Sequence, residues 1–594
     1  MADKFMQPTW DPLVLAAQLQ KIAKQSQTLM QRFVSNQPDA IKLGIGDTSS
    51  LGFDFFELMT KMMTNPAAVA SAQIDLFNDT LSVWQKTAER MLMLRAHEAD
   101  APKDKRFKHP QWSENAIFSF VKESYLVAAK SILSAVREVK GMDDATARKV
   151  DFYTRQFVDA LSPSNFVATN PEVLTATLES GGQNLLRGLA NLLVDLERGN
   201  GRLSITMTDM KAFRLGENIA TTPGKLVYQN ALMQLIQYCP STQEVRRRPL
   251  LIVPPWINKF YVLDLQPKNS FIKWAVDQGH TVFVISWVNP DEKLAEKSLE
   301  NYMLEGPLAA LDAIESATGE RSVNTIGYCL GGTLLASTAA YSAAKSDDRI
   351  ASDTYFVTLV DFTDVGEMAV FIDEAQLASL ERRMRERGYL EAQDMATAFN
   401  MLRANDLIWS FVVNNYLLGK EQMPFDLLFW NSDSTRMPAA MHSFYLRKMY
   451  QQNLLAKPGG INLADTPIDL SKISTPTFIL STREDHIAPW KSTYAATRLY
   501  SGPVKFVLSA SGHMAGVISA PGSKYGHWTN DNLPPSPDEW FAGATPHQGS
   551  WWPLWDEWVT QLDSGRVPVR EPGGGKLAII EDAPGSYVRV RSVA

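Results

Sequence analysis

The sequence predicts an α/β protein: a doubly wound, mostly parallel sheet, interrupted by a helical insertion and preceded by a helical N-terminal domain. Three observations carry this expectation. From about residue 248, short apolar, β-branched runs alternate with helical stretches, the texture of parallel strands covered on both faces. Between Asp361 and about Asp469 the alternation stops, aromatic-rich helical patterns replace it, and strands resume at Thr477. Ahead of the sheet, apolar residues recur at three- and four-residue spacings, as on amphipathic helices.

In chain order, residues 1–205 are expected to form the helical domain, with 1–102 weakly specified. Phe53 to Met63, Ile74 to Leu94, Asn115 to Val139 and Pro171 to Leu196 carry the helical spacing. Thr169-Asn170-Pro171 reads as a helix start, since proline suits a first helical turn. The mixed-charge cluster Lys103 to Lys108 reads as a solvated linker. Residues 206–360 hold the first part of the sheet, with apolar runs at Leu250 to Val253, Thr281 to Ser286, Val323 to Gly327 and Tyr355 to Val360. Residues 361–470 form the helical cap, which includes the apolar stretches Trp409 to Leu418 and Phe425 to Trp430. Residues 471–594 return to the sheet through Thr477 to Leu480 and Val504 to Leu508. The tail from Val567, with Gly573-Gly574-Gly575, is expected to be loosely held.

Composition narrows the function. Of 594 residues, 45% are hydrophobic and 21% charged, which excludes a disordered, collagenous or coiled-coil chain. The net charge of −7 offers no basic excess to neutralise a phosphate backbone, so no nucleic-acid partner is expected. Two cysteines, Cys239 and Cys329, are too few for a disulfide framework or a cysteine metal site, and no metal is expected. No apolar run approaches the roughly 20 residues that span a bilayer. With no signal-peptide pattern either, a cytoplasmic location is expected. Zinc-protease, P-loop and dinucleotide fingerprints are absent, so zinc hydrolysis, nucleotide hydrolysis and hydride transfer have no support.

The sharpest motif is Gly327-Tyr328-Cys329-Leu330-Gly331-Gly332, which follows an expected strand and precedes a small-residue helix. This is the context of a nucleophile elbow with cysteine in place of serine. Small residues two before and two after the nucleophile let strand and helix approach closely. The positive end of the helix dipole favours a thiolate at Cys329. An elbow places its acid and then its histidine later in the chain. Asp485 follows Thr477 to Leu480, and His513 follows Val504 to Leu508, each in a loop at a strand's carboxyl end. Glu484 is less well placed, and His486 is a candidate supporting group. An oxyanion hole takes one N–H from the residue after the nucleophile, Leu330, and one from the loop after an earlier strand. In Pro254-Pro255-Trp256 the prolines have no N–H, so Trp256 is the first available donor. Cys239 has neither elbow nor nearby base and reads as structural.

These motifs, with Val253-Pro254-Pro255-Trp256-Ile257-Asn258-Lys259, Pro163-Ser164-Asn165-Phe166 and Phe425-Asp426-Leu427-Leu428-Phe429-Trp430-Asn431, resemble a class I polyhydroxyalkanoate (poly(3-hydroxybutyrate)) synthase from about Phe107 to Asn530. The resemblance implies an α/β-hydrolase core with a mobile cap, Cys329 as nucleophile, and Asp485 and His513 as acid and base. Trp256 departs from the phenylalanine or leucine of many members. The resemblance also implies (R)-3-hydroxyacyl-CoA substrates, with CoA leaving rather than serving as a cofactor, and no other cofactor. It implies a growing polyester chain gathered in cytoplasmic granules, a homodimer, and granule-coating proteins as further partners. Arg403 is a candidate for facing CoA, and Asn258 for supporting the site or touching substrate. A cysteine-dependent thioesterase or depolymerase, or a non-catalytic granule protein, are the alternatives from other classes.

Overall fold

The structure is a computed structural model that describes residues 48–63, 66–91 and 104–592. It divides into two compact units, one built from the N-terminal region through Asp209 with Thr397–Met423, the other from Met210–Ala396 with Pro424 onward.

The first unit contains helices α1 (Thr48–Met63), α2 (Pro66–Met91), α3 (Ala116–Arg137), α4 (Asp144–Ala160), α5 (Pro171–Glu179) and α6 (Gln183–Arg198). Asn115, Asp143 and Asn170 each cap a helix by accepting from first-turn N–H groups, and Pro171 opens α5 as its sequence suggests. The single helix expected from Pro171 to Leu196 is two, because Gly181 and Gly182 take φ of 59° and 85°, a left-handed turn that ends α5. The linker reading of Lys103 to Lys108 fails at its centre. The Arg106 guanidinium forks onto Asp104, donates to Asp159 at 2.9 Å and to Tyr125 Oη at 2.9 Å, and Phe107 is buried. Two of its partners, Tyr125 and Asp159, lie far along the chain, where local charge pattern carries no information. Thr397–Met423, expected within the cap, packs here instead: Tyr416 Oη donates to Asp195 at 2.6 Å and Asn184 Nδ2 to the Leu417 carbonyl at 2.8 Å. Gly188 makes the approach possible, since a Cβ there would stand 1.8 Å from the Tyr416 carbonyl oxygen.

The second unit is built on an eleven-stranded sheet. Its strands are β1 (Gly224–Gln229), β2 (Met233–Tyr238), β3 (Leu250–Val253), β4 (Val282–Trp287), β5 (Val323–Tyr328), β6 (Ile350–Phe356), β7 (Thr477–Thr482), β8 (Val504–Ser509), β9 (His527–Thr529), β10 (Thr545–His547) and β11 (Glu581–Asp582). Their spatial order is β10-β9-β8-β7-β6-β5-β3-β4-β2-β1-β11. The six strands β3 to β8 run parallel to their neighbours among themselves, and antiparallel strands flank them on both sides. Each apolar run expected from the sequence lies in or beside one of the six, although β6 ends at Phe356 rather than continuing to Val360. The β1–β2 hairpin was not expected, because its polar and apolar residues mix without clear alternation.

The chain passes from β3 to its neighbour β4 and then crosses back past β3 to β5, so the carboxyl ends of β3 and β5 lie side by side, with Val253 opposite Gly327. One face of the sheet is sealed by α7 (Phe271–Asp277) and by the tryptophans of α9 (Trp552–Leu562). The Phe271 ring lies 5.2 Å from that of Trp552 and 5.3 Å from that of Trp555. Ile326 and Tyr328 of β5 join that core, so Gly327 between them faces the opposite side, toward helix α8 (Leu330–Ala344).

The tail is pinned rather than loose. Arg566–Pro568 pairs with Glu244–Arg246, β11 pairs with β1, and Val588 is fully buried. Polyglycine suggested slack, but the anchors are backbone pairs and carbonyls with remote partners. No described helix is long and apolar enough to cross a membrane.

Candidate active site

Cys329 sits between β5 and α8 with φ 52° and ψ −118°, a strained conformation for a residue with a side chain. Its glycine neighbours explain how the turn closes. A Cβ on Gly327 would lie 2.4 Å from the Gly332 Cα, and one on Gly331 would lie 2.1 Å from the Val253 carbonyl oxygen and 2.6 Å from that of Pro254. The elbow is therefore wedged between its own strand and the β3 loop. Gly331→Ala is expected to lose at least about 2 kcal/mol of stability, because overpacking costs roughly 1–3 kcal/mol even where side chains can yield. Here the obstacle is backbone, and a thermal melt would measure the loss.

The acid and base come to the elbow from two adjacent strands. Asp485, just past β7, is buried and fixed on both oxygens: Oδ1 accepts from the N–H of Ile487 (2.9 Å) and Ala488 (2.8 Å), and Oδ2 accepts from Thr482 Oγ1 (3.1 Å). That same Oδ2 lies 2.8 Å from His513 Nδ1. The His513 ring stacks on Tyr328 with centroids 5.8 Å apart. Its loop is tied down by Trp551 and Trp552, whose indole N–H groups donate to the carbonyls of Gly516 and Val517, both at 2.9 Å. The half-buried Cys329 thiol lies near the His513 imidazole, whose pKa its charge helps to raise. Burial alone would lower the pKa of His513, but the Asp485 and Cys329 charges and their hydrogen bonds outweigh it and raise it. The structure thus gathers Cys329, His513 and Asp485, the three candidates from the sequence, at one site.

Among the described residues, neither Leu330 N–H nor Trp256 N–H donates to a protein acceptor. Gly331's contact with the Val253 and Pro254 carbonyls holds the two peptide stretches together, so both donors are available for an oxyanion. Trp256 itself is buried against Trp287 and Tyr302, with ring centroids 5.9 and 4.8 Å away.

Three other candidates resolve differently. Asn258 supports the site: its N–H donates to Thr435 Oγ1 at 2.9 Å, and its Nδ2 donates to the Trp430 and Asn431 carbonyls, both at 3.3 Å. With its side chain so engaged and φ at 58°, it shapes the loop. Arg403 belongs to the helical unit and pairs with Asp406 at 2.6 Å. His486 is half-buried directly beside Asp485. Burial and the nearby Glu571 push the Cys239 thiol pKa up, which disfavours it as a nucleophile.

Sequence reasoning missed two tyrosines. Burial raises the phenol pKa values of Tyr445 and Tyr450, and the charge of Cys329 adds to the effect. With Phe362 they form an aromatic cluster, centroids 4.9 to 5.9 Å apart. Only their spacing along Tyr445–Gln451, a π-helical turn, marked them in the sequence.

Two family models match the chain. Residues 103–275 match "Poly-beta-hydroxybutyrate polymerase (PhaC) N-terminus", and residues 248–518 match the alpha/beta hydrolase fold. The chain is 50% identical to a poly(3-hydroxyalkanoate) polymerase of Methylorubrum extorquens over 534 residues, 89% of this chain and 88% of that protein. It is 51% identical to the polymerase subunit PhaC of Rhizobium meliloti (strain 1021) over 533 residues, 89% and 87% of the two chains. With the PhaC subunit of Cupriavidus necator it shares 40% identity over 557 residues, 92% and 93% of the two chains.

Proposed function

The chain belongs to the poly(3-hydroxyalkanoate) polymerases, which are polymerising acyltransferases, and from that premise we propose that it joins (R)-3-hydroxyacyl units, chiefly 3-hydroxybutyryl and other short ones, through an acyl-Cys329 intermediate with release of CoA. The observation that carries the proposal is a cysteine on a strained helix-start turn, near an imidazole that a buried carboxylate holds.

The Cys329 thiolate attacks the thioester carbonyl, and the tetrahedral oxyanion rests on the N–H groups of Leu330 and Trp256. As the carbon–sulfur bond to CoA breaks, the His513 imidazolium gives the departing thiolate its proton. Neutral His513 then takes the proton of a second unit's hydroxyl, and the alkoxide attacks acyl-Cys329. An ester forms, and the Cys329 thiolate and the imidazolium are restored. Both Asp485 oxygens are already engaged, which supports an orienting role for it rather than direct removal of the hydroxyl proton. The aromatic cluster of Phe362, Tyr445 and Tyr450 suits the need to keep water from hydrolysing the acyl-enzyme.

The test is to quench the enzyme with labelled 3-hydroxybutyryl-CoA and map the label. Label on Cys329, with polymer as product, supports the reading; free 3-hydroxy acid as the only product marks a thioesterase and overturns it. The proposal extends to a homodimer working at cytoplasmic polyester granules, with residues 361–396 and 424–470 of the expected cap gating Cys329. CoA release should then begin with a lag that shortens at higher enzyme concentration or with a short primer. Progress curves without a lag at every dilution would remove the gate.

A further inference from the structure

The loop that carries Trp256 is clamped from below by a buried ion pair and by the C-terminal segment. Lys259 and Asp433 are almost wholly buried, with Nζ and Oδ1 2.8 Å apart. The same ammonium donates to the carbonyls of Val588 at 2.7 Å and Val590 at 3.0 Å. Asp433 accepts from Tyr261 Oη at 2.9 Å, and the Lys259 carbonyl accepts from Trp430 Nε1 at 2.6 Å. Thr435 Oγ1 donates to the Trp256 carbonyl at 2.6 Å, so the residue bearing the expected oxyanion donor is held, one peptide further on, from the 430–435 segment. That segment in turn meets the tail, where Ser592 Oγ donates to the Ser434 carbonyl at 3.0 Å.

We propose that Lys259 and Asp433 are positioning residues for the Trp256 oxyanion loop, and that Val588 to Ser592 complete the clamp, so that the chain's far end sets the geometry of acylation. The inference rests on the acyl-Cys329 reading. A buried ion pair is weak evidence for added stability, since well-packed apolar residues do as well or better. What it does provide is directional: an ammonium placed between one carboxylate and two backbone carbonyls fixes three chain segments at once. A displaced oxyanion donor costs turnover without weakening ground-state binding.

The experiment uses the full-length enzyme in a Cys239→Ser background, with competent sites counted by thiol alkylation of Cys329. Lys259→Met is expected to lower kcat per titrated site about ten- to a hundredfold with little change in KM, the scale on which about 1 Å of misplacement acts. The double variant Lys259→Met/Asp433→Leu removes the stranded carboxylate, so its melting temperature should recover while kcat per site stays low. Lys225→Gln, which breaks the outer tail contact to Asp582, should leave kcat unchanged. Recovery of kcat in step with melting temperature, or wild-type kcat in Lys259→Met, would overturn the proposal. Should neither Lys259 variant accumulate, hydrogen exchange on the wild-type enzyme decides. The amides of Asn258 to Phe260 and of Val588 to Val590 should open together, and free exchange of the tail beside a protected loop would sink the clamp. Turnover that survives Cys329→Ala would instead remove the underlying reading, however Lys259 behaves.

Discussion

Replacing Cys329 with alanine is expected to abolish CoA release and polymer formation, by about 10⁴-fold or more, the scale seen when a triad nucleophile is removed. The fold should survive, because the change removes one half-buried thiol and leaves the turn's backbone as it is. An unchanged melting curve beside lost activity would show this. Cys329→Ser should also be severely impaired, because a hydroxyl is a weak nucleophile at its free pKa. Cys239→Ser should keep most activity, since that thiol's pKa is raised by burial and it lies outside the His513–Asp485 chain. The reverse pattern, an active Cys329→Ala and a dead Cys239→Ser, would exchange the two assignments.

His513→Ala is expected to lose acylation altogether, whereas Asp485→Asn should still be acylated but stall in elongation. A thiolate favoured by a helix start depends less on the orienting acid than a hydroxyl does, and elongation must activate a hydroxyl. Absence of trapped label on the Asp485→Asn enzyme would rule out this division of labour. The same variant tests the electrostatics. Burial works against charge on His513, but Asp485 and Cys329 more than compensate, so the folded imidazole holds its proton above the ordinary value of 6.5. A raised folded pKa contributes stability that is present in full below the unfolded value and is lost as pH rises through the folded one. Wild-type His513 should therefore titrate above 6.5, and its midpoint should fall in Asp485→Asn. Ring-proton NMR across that window would measure both.

The sequence by itself determined what rests on local sterics and chain order. Gly327, Gly331 and Gly332 around Cys329 announce a turn that only small residues allow, and the structure shows the missing Cβ atoms colliding with backbone at Gly327 and Gly331 and with the Thr358 side chain at Gly332. Asp485 and His513 were legible because each follows an apolar strand, and the carboxyl ends of adjacent parallel strands must gather at one edge. Tertiary structure alone decided whatever depends on a distant partner. Asn258 could support the site or touch substrate as far as the sequence went, and only the fold gives its amide the Trp430 and Asn431 carbonyls as partners. Arg106 looked solvated until Asp159 and Tyr125 met it. The glycine-rich tail looked slack, yet Lys259 holds two of its carbonyls from 329 and 331 positions away. Tyr445 and Tyr450 meet Phe362 only because the chain returns there. Steric limits act between neighbours and are written in consecutive residues, whereas a buried polar group is satisfied by whichever backbone the fold brings to it, and no local pattern records which.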